Sequence, residues 1–306
     1  MALDKDFTKR QLLILAFDHR GSFLEKLFGI KGREPTVVEF SRIIDYKNAV
    51  YEGFSKALSE GVPKNIAGIL VDEQFGAAIA KDALAKGVTF AMPVEKSGQN
   101  EFDFEYGSSF GHHIEGFSPA FAKVLVRYNH EDDAVMNKRQ LARLKQLGEY
   151  LKETGRAYLF ELLVPATPQQ LASVNNDKAA YDSQLRPKLM VRAMSDIQAA
   201  GVEPDIWKME GVDSAKDAHA IVAQAQAGGR KAGVITLGRG ESKEKVKEWL
   251  SVGAKIPGII GFAVGRTIFW DALQGLKDGK HDRQAAVAMV ARNYLEFVQL
   301  WQSQKL

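Results

Sequence analysis

Short apolar runs rich in β-branched residues recur along the chain, and longer segments with helical periodicity separate them. This alternation is typical of a parallel α/β fold, in which each strand is followed by a helix. The runs predict about eight strands. The predicted strands cover residues 12–17, 66–72, 88–94, 122–128, 158–164, 205–210, 233–237 and 259–264.

The clearest predicted helix follows the first strand, where large apolar residues between positions 40 and 58 share one face and Gly61 ends the pattern. Further predicted helices cover residues 133–154, 186–200, 215–227, 243–251, 269–277 and 283–302, and the last should pack on the outside. The polar stretch 169–183 lacks this periodicity. We expect it to be a flexible or active-site loop.

Strand–helix units repeated about eight times describe either a closed barrel or a doubly wound open sheet. A dinucleotide-binding open sheet carries a G-x-G-x-x-G turn after its first strand, whereas the first predicted strand here runs into FDHRG at residues 17–21. Glycine–arginine turns follow the last two predicted strands, at residues 238–240 and 265–266, where a barrel usually holds phosphate. We therefore predict a (β/α)8 TIM barrel, as a single domain over residues 1–306.

Composition narrows the function classes. A chain of 306 residues with 45% hydrophobic content can bury one large core. The net charge of +3 without a basic run argues against nucleic-acid binding and suits small anionic substrates. The absence of cysteine excludes disulfides and thiolate chemistry. Neither a leader nor a membrane span is predicted, so we expect a cytoplasmic protein, with a homo-oligomer left open.

Polar residues alternate with apolar ones in several predicted strands, so they share one face of each strand. If these faces look into a barrel, its mouth contains more charge than a packed core tolerates without a purpose. The charged residues are Asp18, Asp72, Lys123, Arg127, Glu161, Lys208 and Glu210. Ion pairs that hold the barrel together are the alternative explanation.

Lys208 lies in an apolar run at residues 204–211, where an ammonium group must be paired or have a chemical role. Neighbouring cations should lower the pKa of each lysine in this cluster. A lysine that loses its proton is a nucleophile able to form a Schiff base with a ketone. Glu161 would then either move protons during the reaction or neutralise Lys123.

The two glycine–arginine turns predict a phosphate site. Arg239 and Arg266, together with the backbone amides at Gly238 and Gly265, could clamp a phosphate at the start of the following helices. Solvated arginines at ordinary helix starts would give a similar pattern. We also assign substrate binding to four further residues, namely His19, Arg20, Asp72 and Arg127.

Metal chemistry has little support in the sequence. The six histidines form no H-x-x-x-H or H-x-H pair, so a zinc-dependent mechanism is disfavoured. Magnesium held by carboxylates and a substrate phosphate stays open. We predict neither a metal site nor a cofactor. Aromatic residues between positions 102 and 117 are expected to pack within a loop or at a subunit contact.

Several segments resemble the class I aldolases of the tagatose-1,6-bisphosphate aldolase type. The chain is still more similar to the 2-deoxy-5-keto-gluconate-6-phosphate aldolase-like domain of bacterial inositol catabolism. The similar segments are LAFDHRG (15–21), LVDEQFG (70–76), AKVLVRY (122–128), FELL (160–163), DIWKME (205–210) and GRTIFW (265–270). His19 departs from the glutamine of the tagatose-type enzymes, and the turn at residues 237–240 departs from their serine-containing turn.

The resemblance implies a TIM barrel with Lys208 as the Schiff-base lysine and Glu161 as the acid and base. It further implies Lys123 and Asp18 as supporting polar groups and Arg266 as a phosphate ligand. The expected reaction is reversible cleavage of a phosphorylated keto sugar or keto sugar acid to dihydroxyacetone phosphate and an aldehyde.

Two alternatives belong to other function classes. A sugar-phosphate isomerase or epimerase would use Glu161 as base and Lys208 only as an electrostatic clamp, without a covalent intermediate. A non-catalytic barrel would bind a phosphorylated sugar and not turn it over.

Overall fold

Eight parallel strands pair in chain order, and the eighth pairs with the first, so the sheet closes into a barrel. The structure is a computed structural model that describes residues 6–305, and the outermost residues of the predicted domain lie outside that range. The strands are β1 Leu12–Ala16, β2 Ala67–Leu70, β3 Thr89–Pro93, β4 Phe121–Arg127, β5 Ala157–Leu163, β6 Ile206–Glu210, β7 Gly233–Leu237 and β8 Ile259–Val264. The prediction of a (β/α)8 barrel is confirmed.

A helix of at least eight residues follows each strand, and a ninth follows the last unit. These helices are α1 Val37–Ser59, α2 Glu73–Ala85, α3 Phe110–Phe117, α4 Ala134–Glu153, α5 Arg186–Ala199, α6 Ala215–Ala225, α7 Lys243–Gly253, α8 Arg266–Lys277 and α9 Arg283–Gln304. Helix α9 packs on the outside as predicted, and its Tyr294 hydroxyl donates to the Leu13 carbonyl at 2.6 Å. Among residues 6–305, no helix is long and apolar enough to cross a bilayer.

The polar stretch 169–183 is not a loop, and that prediction was wrong. It forms short helical segments over Pro168–Ser173, Lys178–Ala180 and Tyr181–Leu185. Reciprocal hydrogen bonds between Thr167 and Gln170 cap the first of these segments, and a proline stands in its first turn. Local capping therefore orders this segment without a long amphipathic face.

Alternation along the strands separates two hydrophobic layers. Leu159 and Ile206 belong to the layer inside the barrel, whereas Phe160 and Trp207 belong to the layer between the strands and the helices. Phe7 joins the inner layer and lies with its ring centroid 5.8 Å from that of Phe121. The apolar inner layer fills the barrel below its mouth, so the polar residues collect where the strands end.

The aromatic residues between positions 102 and 117 pack against one another and against α4. The rings of Phe102 and Phe104 meet at 5.2 Å between centroids, and those of Phe104 and Phe110 stack at 4.3 Å. Phe110 also contacts the ring of Tyr150 at 5.3 Å. These contacts are the loop packing that we expected.

Candidate active site

Five charged side chains meet inside the barrel, three from within β4, β5 and β6 and two from the segments that follow β1 and β3. The Lys123 ammonium contacts three carboxylates, with Nζ 2.9 Å from Asp18 Oδ2, 2.7 Å from Glu95 Oε1 and 3.0 Å from Glu161 Oε2. The Lys208 Nζ lies 2.9 Å from the same oxygen of Glu161. We call these five residues the lysine–carboxylate cluster. It brings together all four residues that were predicted to be catalytic.

The strand register explains why Glu161 and Lys208 meet. The two residues are paired neighbours on β5 and β6, and neighbouring positions in a parallel sheet direct their side chains to the same face. Both lysines of the cluster are almost fully buried, with 1% of Lys123 and 4% of Lys208 exposed. Buried ammonium groups need compensating charge, and the carboxylates supply it.

The pKa of Lys123 differs from the one that the sequence predicted. Burial lowers the pKa of this lysine, but the carboxylates of Asp18, Glu161 and Glu95 outweigh burial and raise the pKa well above its usual value. Lys123 is therefore a cation at neutral pH. The prediction that clustered cations would lower its pKa was wrong, because the number of nearby acids was underestimated.

The carboxylates of the cluster divide into two kinds. Burial raises the pKa of Asp18 and of Glu161, but the ammonium groups of Lys123 and Lys208 lower it further, so the net shift is downward. For Glu95, burial dominates and the pKa is raised despite Lys123 and Arg20. Glu95 is thus the one carboxylate of this cluster whose pKa is shifted upward.

Sequence reasoning missed Glu95. It lies two residues beyond the end of β3, in an irregular segment that bridges to Phe104. One signal was available, since Asp18 stands at the same distance beyond the end of β1. Carboxylates just past the ends of barrel strands reach the same mouth.

A cavity of about 280 Å³ opens beside the cluster. Lys208 and Glu161 line it, whereas Lys123, Asp18 and Glu95 do not. The other charged or histidine residues along its wall are His19, Arg127, Arg239 and Arg266. Within residues 6–305, no three His, Asp or Glu side chains are grouped to hold a metal ion.

Arg266 is the cation of the cavity that is best placed for an anionic ligand. In the part of the chain that the structure describes, no carboxylate oxygen forms an ion pair with it, and its Nη2 donates to the Arg239 carbonyl at 3.1 Å. Burial lowers its pKa, although the Glu161 carboxylate raises it. Helix α8 begins at Arg266, and no side chain caps its first turn. An uncapped helix start beside an arginine favours phosphate binding.

The glycines of this region are needed for close approach. A Cβ atom on Gly265 would lie 2.1 Å from the Ala16 carbonyl oxygen, at the end of β1. A Cβ atom on Gly240 would lie 2.4 Å from Nη2 of Arg266, and Gly240 has a φ of +81° that favours glycine. Together with Gly238, which also lines the cavity, they let the two turns fold against each other.

Arg239 and Arg127 also lie at the cavity wall, but both have protein partners. Arg239 lies 2.7 Å from Asp182 and 3.0 Å from Glu210, so its charge is already paired. Arg127 donates to the Gln99 carbonyl at 2.5 Å. Arg127 stands on β4 and Arg266 follows β8, on opposite sides of an eight-stranded barrel.

His19 lines the cavity as a neutral side chain. Burial lowers its pKa to about 4, and the nearby cations Arg266 and Lys208 act in the same direction against the Asp18 carboxylate. Its ring meets that of Phe269 at 5.9 Å, and Nδ1 is buried without a hydrogen-bond partner in the described residues. Neutral imidazole can donate to or accept from a sugar hydroxyl.

Arg20 and Asp72, two residues that were predicted to bind substrate, do not line this cavity. Arg20 is buried, pairs with Glu105 at 3.0 Å and donates to the Glu95 carbonyl. Asp72 is fully buried, caps α2 by accepting from the Phe75 amide at 2.8 Å, and forms an ion pair with Lys47. Both side chains hold the ends of strands in place.

The Lys47–Asp72 pair gives a stability prediction. Asp72→Asn should lower the free energy of unfolding by about 3–5 kcal/mol, because it removes the carboxylate that pairs directly with the buried Lys47 ammonium. Asparagine can still cap the helix, so the lost charge is isolated. Urea denaturation measures the effect. The double variant Asp72→Asn with Lys47→Met should recover much of the loss, and a single-variant loss below about 1 kcal/mol would contradict the assignment.

The sequence and the fold were compared with known protein families, curated proteins and solved structures. A sequence-family profile described as "Uncharacterized protein conserved in bacteria (DUF2090)" matches residues 3–305. No curated protein matches the sequence. A solved structure of fructose-bisphosphate aldolase from Plasmodium falciparum, in complex with TRAP and a small-molecule inhibitor, superposes with a TM-score of 0.68. The superposition covers 99% of this chain and 93% of that chain at 13% identity, which shows a shared barrel fold and no more.

Proposed function

The chain belongs to the DUF2090 family, and we propose that it is a class I aldolase that forms a Schiff base with a ketone at Lys208. One observation carries the proposal. The buried Lys208 ammonium lies at the wall of a polar cavity, 2.9 Å from a Glu161 carboxylate. A lysine and a carboxylate in direct contact at a cavity wall are the pair that imine formation needs.

The chemistry begins with proton loss from Lys208. The free amine then attacks the ketone carbon, and the carbonyl oxygen takes up protons and leaves as water. Glu161 is suited to carry these protons, because its Oε2 contacts Lys208 directly and faces the cavity. Its lowered pKa keeps it ionised, and therefore able to accept a proton, at neutral pH.

Carbon–carbon cleavage follows from the iminium. The base removes the proton of the hydroxyl group on the carbon beyond the bond to be broken, and that carbon becomes an aldehyde. The bonding electrons pass into the iminium and give an enamine, so the protonated imine nitrogen acts as the electron sink. Protonation of the enamine and hydrolysis release the ketone product and restore Lys208.

We propose a phosphorylated keto sugar or keto sugar acid as substrate. Arg266 and the start of α8 would hold the phosphate, and His19 would contact a hydroxyl group. The resemblance to the tagatose-bisphosphate and 2-deoxy-5-keto-gluconate-6-phosphate enzymes makes these two compounds the first to assay, with dihydroxyacetone phosphate as the expected ketone product. Release of that product can be followed by its enzymatic reduction with NADH.

The same assay separates the alternatives. Interconversion of sugar phosphates without release of an aldehyde would favour the isomerase or epimerase. Tight binding of the phosphorylated sugar without any turnover would favour a non-catalytic barrel. Aldehyde release at a rate that depends on the phosphate group would support the proposal.

Arg266→Ala should raise KM about 10- to 100-fold and change kcat much less, because a charged hydrogen bond to phosphate contributes about 1.5–3 kcal/mol. Initial rates over a range of substrate concentrations give both constants. Arg266→Lys is the matched control, since it keeps the charge and should recover part of the affinity. An unchanged KM for Arg266→Ala would remove Arg266 from the phosphate site.

A further inference from the structure

We propose that Glu95 stores the proton that Lys208 must lose before it attacks the ketone, and that this proton reaches Glu95 through Glu161 and Lys123. The inference rests on the proposed Schiff-base function. It adds a residue that the sequence did not indicate and that does not line the cavity. Glu95 therefore acts through the two residues between it and Lys208.

A continuous series of contacts connects Lys208 to Glu95. Lys208 Nζ lies 2.9 Å from Glu161 Oε2, and this oxygen lies 3.0 Å from Lys123 Nζ. Lys123 Nζ lies 2.7 Å from Glu95 Oε1. Each distance is within hydrogen-bonding range, so a proton can enter at Glu161 while Lys123 passes another to Glu95. Lys123 ends each transfer as an ammonium.

Glu95 is suited to be the end of this path. It is 6% exposed, and its Oε2 is buried without a hydrogen-bond partner in the described residues. That oxygen has an unused position for a proton, whereas Glu161 Oε2 is shared by two ammonium groups. Because Glu95 does not line the cavity, a proton on it does not compete with substrate.

Charged and titratable groups from three parts of the barrel interact with Glu95. Lys123 approaches from β4, Asp18 and Arg20 from the segment after β1, and Tyr158 from β5. Burial raises the pKa of Glu95, and Asp18 adds to this, whereas Lys123 and Arg20 oppose it. The pKa of Tyr158 is raised well above its usual value by burial and by Glu95, so this tyrosine stays protonated.

Imine formation needs a base that holds one proton for part of the reaction. An ammonium nitrogen carries three protons and a protonated imine carries one, so two protons leave Lys208. Both end in the water that forms from the carbonyl oxygen. The first must leave before the nitrogen lone pair can form the new carbon–nitrogen bond. Glu95 would hold that proton until the carbon–oxygen bond breaks, and would then return it along the same path.

Glu95→Gln tests the proposal, because glutamine can still accept a hydrogen bond from Lys123 but cannot store a proton. The measurement is the rate of Schiff-base formation with dihydroxyacetone phosphate, obtained by borohydride quenching at successive times and intact mass. We expect the rate at about pH 6 to fall about 100-fold, and the deficit to shrink to a few-fold at about pH 9. The recovery is expected because hydroxide then removes the Lys208 proton directly.

Glu95→Asp is the matched control. It keeps a carboxyl group, so the dependence of its rate on pH should follow the wild type even where the rate is lower. If Glu95→Gln proves unfolded by circular dichroism, Glu95→Ser replaces it, with the same expectation. Two results for the variant without a carboxyl group would overturn the proposal. One is a loss of rate that is equal at all pH values, and the other is a rate within about twofold of wild type at every pH.

Failure of the two proposals can be told apart. No adduct on the wild-type protein with any ketone phosphate would contradict the Schiff-base function itself. An adduct on the wild type, with Glu95→Gln showing the wild-type dependence on pH, would contradict only the role of Glu95.

Discussion

Lys208→Met is expected to abolish aldol cleavage, with kcat reduced by about 10⁵-fold or more, the scale of loss when an enzyme nucleophile is removed. Methionine has a similar length and suits a buried site, but it has no amine to form the iminium. Without the iminium, no electron sink receives the bonding electrons of the cleaved bond. Product release from the best phosphorylated ketose is the measurement, with circular dichroism to show that the fold is retained.

The control for this variant is Lys277→Met, at an exposed lysine of α8. It should keep wild-type activity within about twofold, as surface substitutions generally do. Residual cleavage by Lys208→Met above about 1% of wild type would assign the imine to another residue.

Glu161→Gln is expected to reduce kcat by about 10²- to 10⁴-fold, the usual range for loss of a general acid or base. Glutamine keeps the size and can accept from Lys123 and Lys208, but it cannot carry a proton between Lys208 and the substrate. Steady-state kinetics with the same ketose measures the loss. KM should change less than kcat, because the predicted phosphate contacts lie at Arg266 and not at Glu161.

The control is Glu296→Gln on α9, where the carboxylate pairs with Lys243 and Lys247 outside the cavity. It should leave kcat within about twofold of wild type. The alternative role for Glu161, neutralising Lys123, leads to a different result. In that case Glu161→Gln would lower the free energy of unfolding and leave the kcat of the folded protein nearly unchanged.

The pH dependence of cleavage follows from the same residue. Burial raises the pKa of Glu161, but Lys123 and Lys208 lower it to below the usual value of 4.5. The base therefore remains ionised through neutral and mildly acidic pH. We expect the wild-type kcat to fall below pH 4.5 as Glu161 takes up a proton. Glu161→Gln should remove this dependence of kcat on acidic pH.

The strands could be predicted closely from the sequence, because each is a short apolar run between polar or glycine-rich segments. The predictions for β7 and β8 coincide with the structure, and the others differ at their ends by a few residues. Helices α2 and α3 were not predicted. Helix α3 has only eight residues, and the buried face of α2 has only two large apolar residues, Phe75 and Ile79, so neither gives a strong periodic pattern.

The cluster could be predicted where residues lie on strands, since period-two alternation fixes their direction. Lys123, Glu161 and Lys208 belong to this group. The same rule misplaced Asp72, because β2 ends at Leu70 and the chain turns directly into α2. The direction of Glu95 could not be deduced, since it depends on a long-range bridge to Phe104.

The ion pairs and pKa shifts of the site could be predicted least well from the sequence. Lysines and arginines near Lys208 could be counted, but two of the carboxylates that contact Lys123 come from the segments after β1 and β3. Three acids meet Lys123 and raise its pKa, although neighbouring cations alone would have lowered it. The ion pair between Arg239 and Asp182 could not be predicted either, because Asp182 lies in the segment that was predicted to be a loop.

The most direct test of the central claim is borohydride reduction of the wild-type protein with dihydroxyacetone phosphate, followed by peptide mass spectrometry. We predict one reduced adduct, located on the peptide that contains Lys208, and no adduct when the ketone or the borohydride is omitted. Folded protein that cleaves its substrate and gives no adduct, or an adduct confined to another lysine, would contradict Schiff-base catalysis at Lys208.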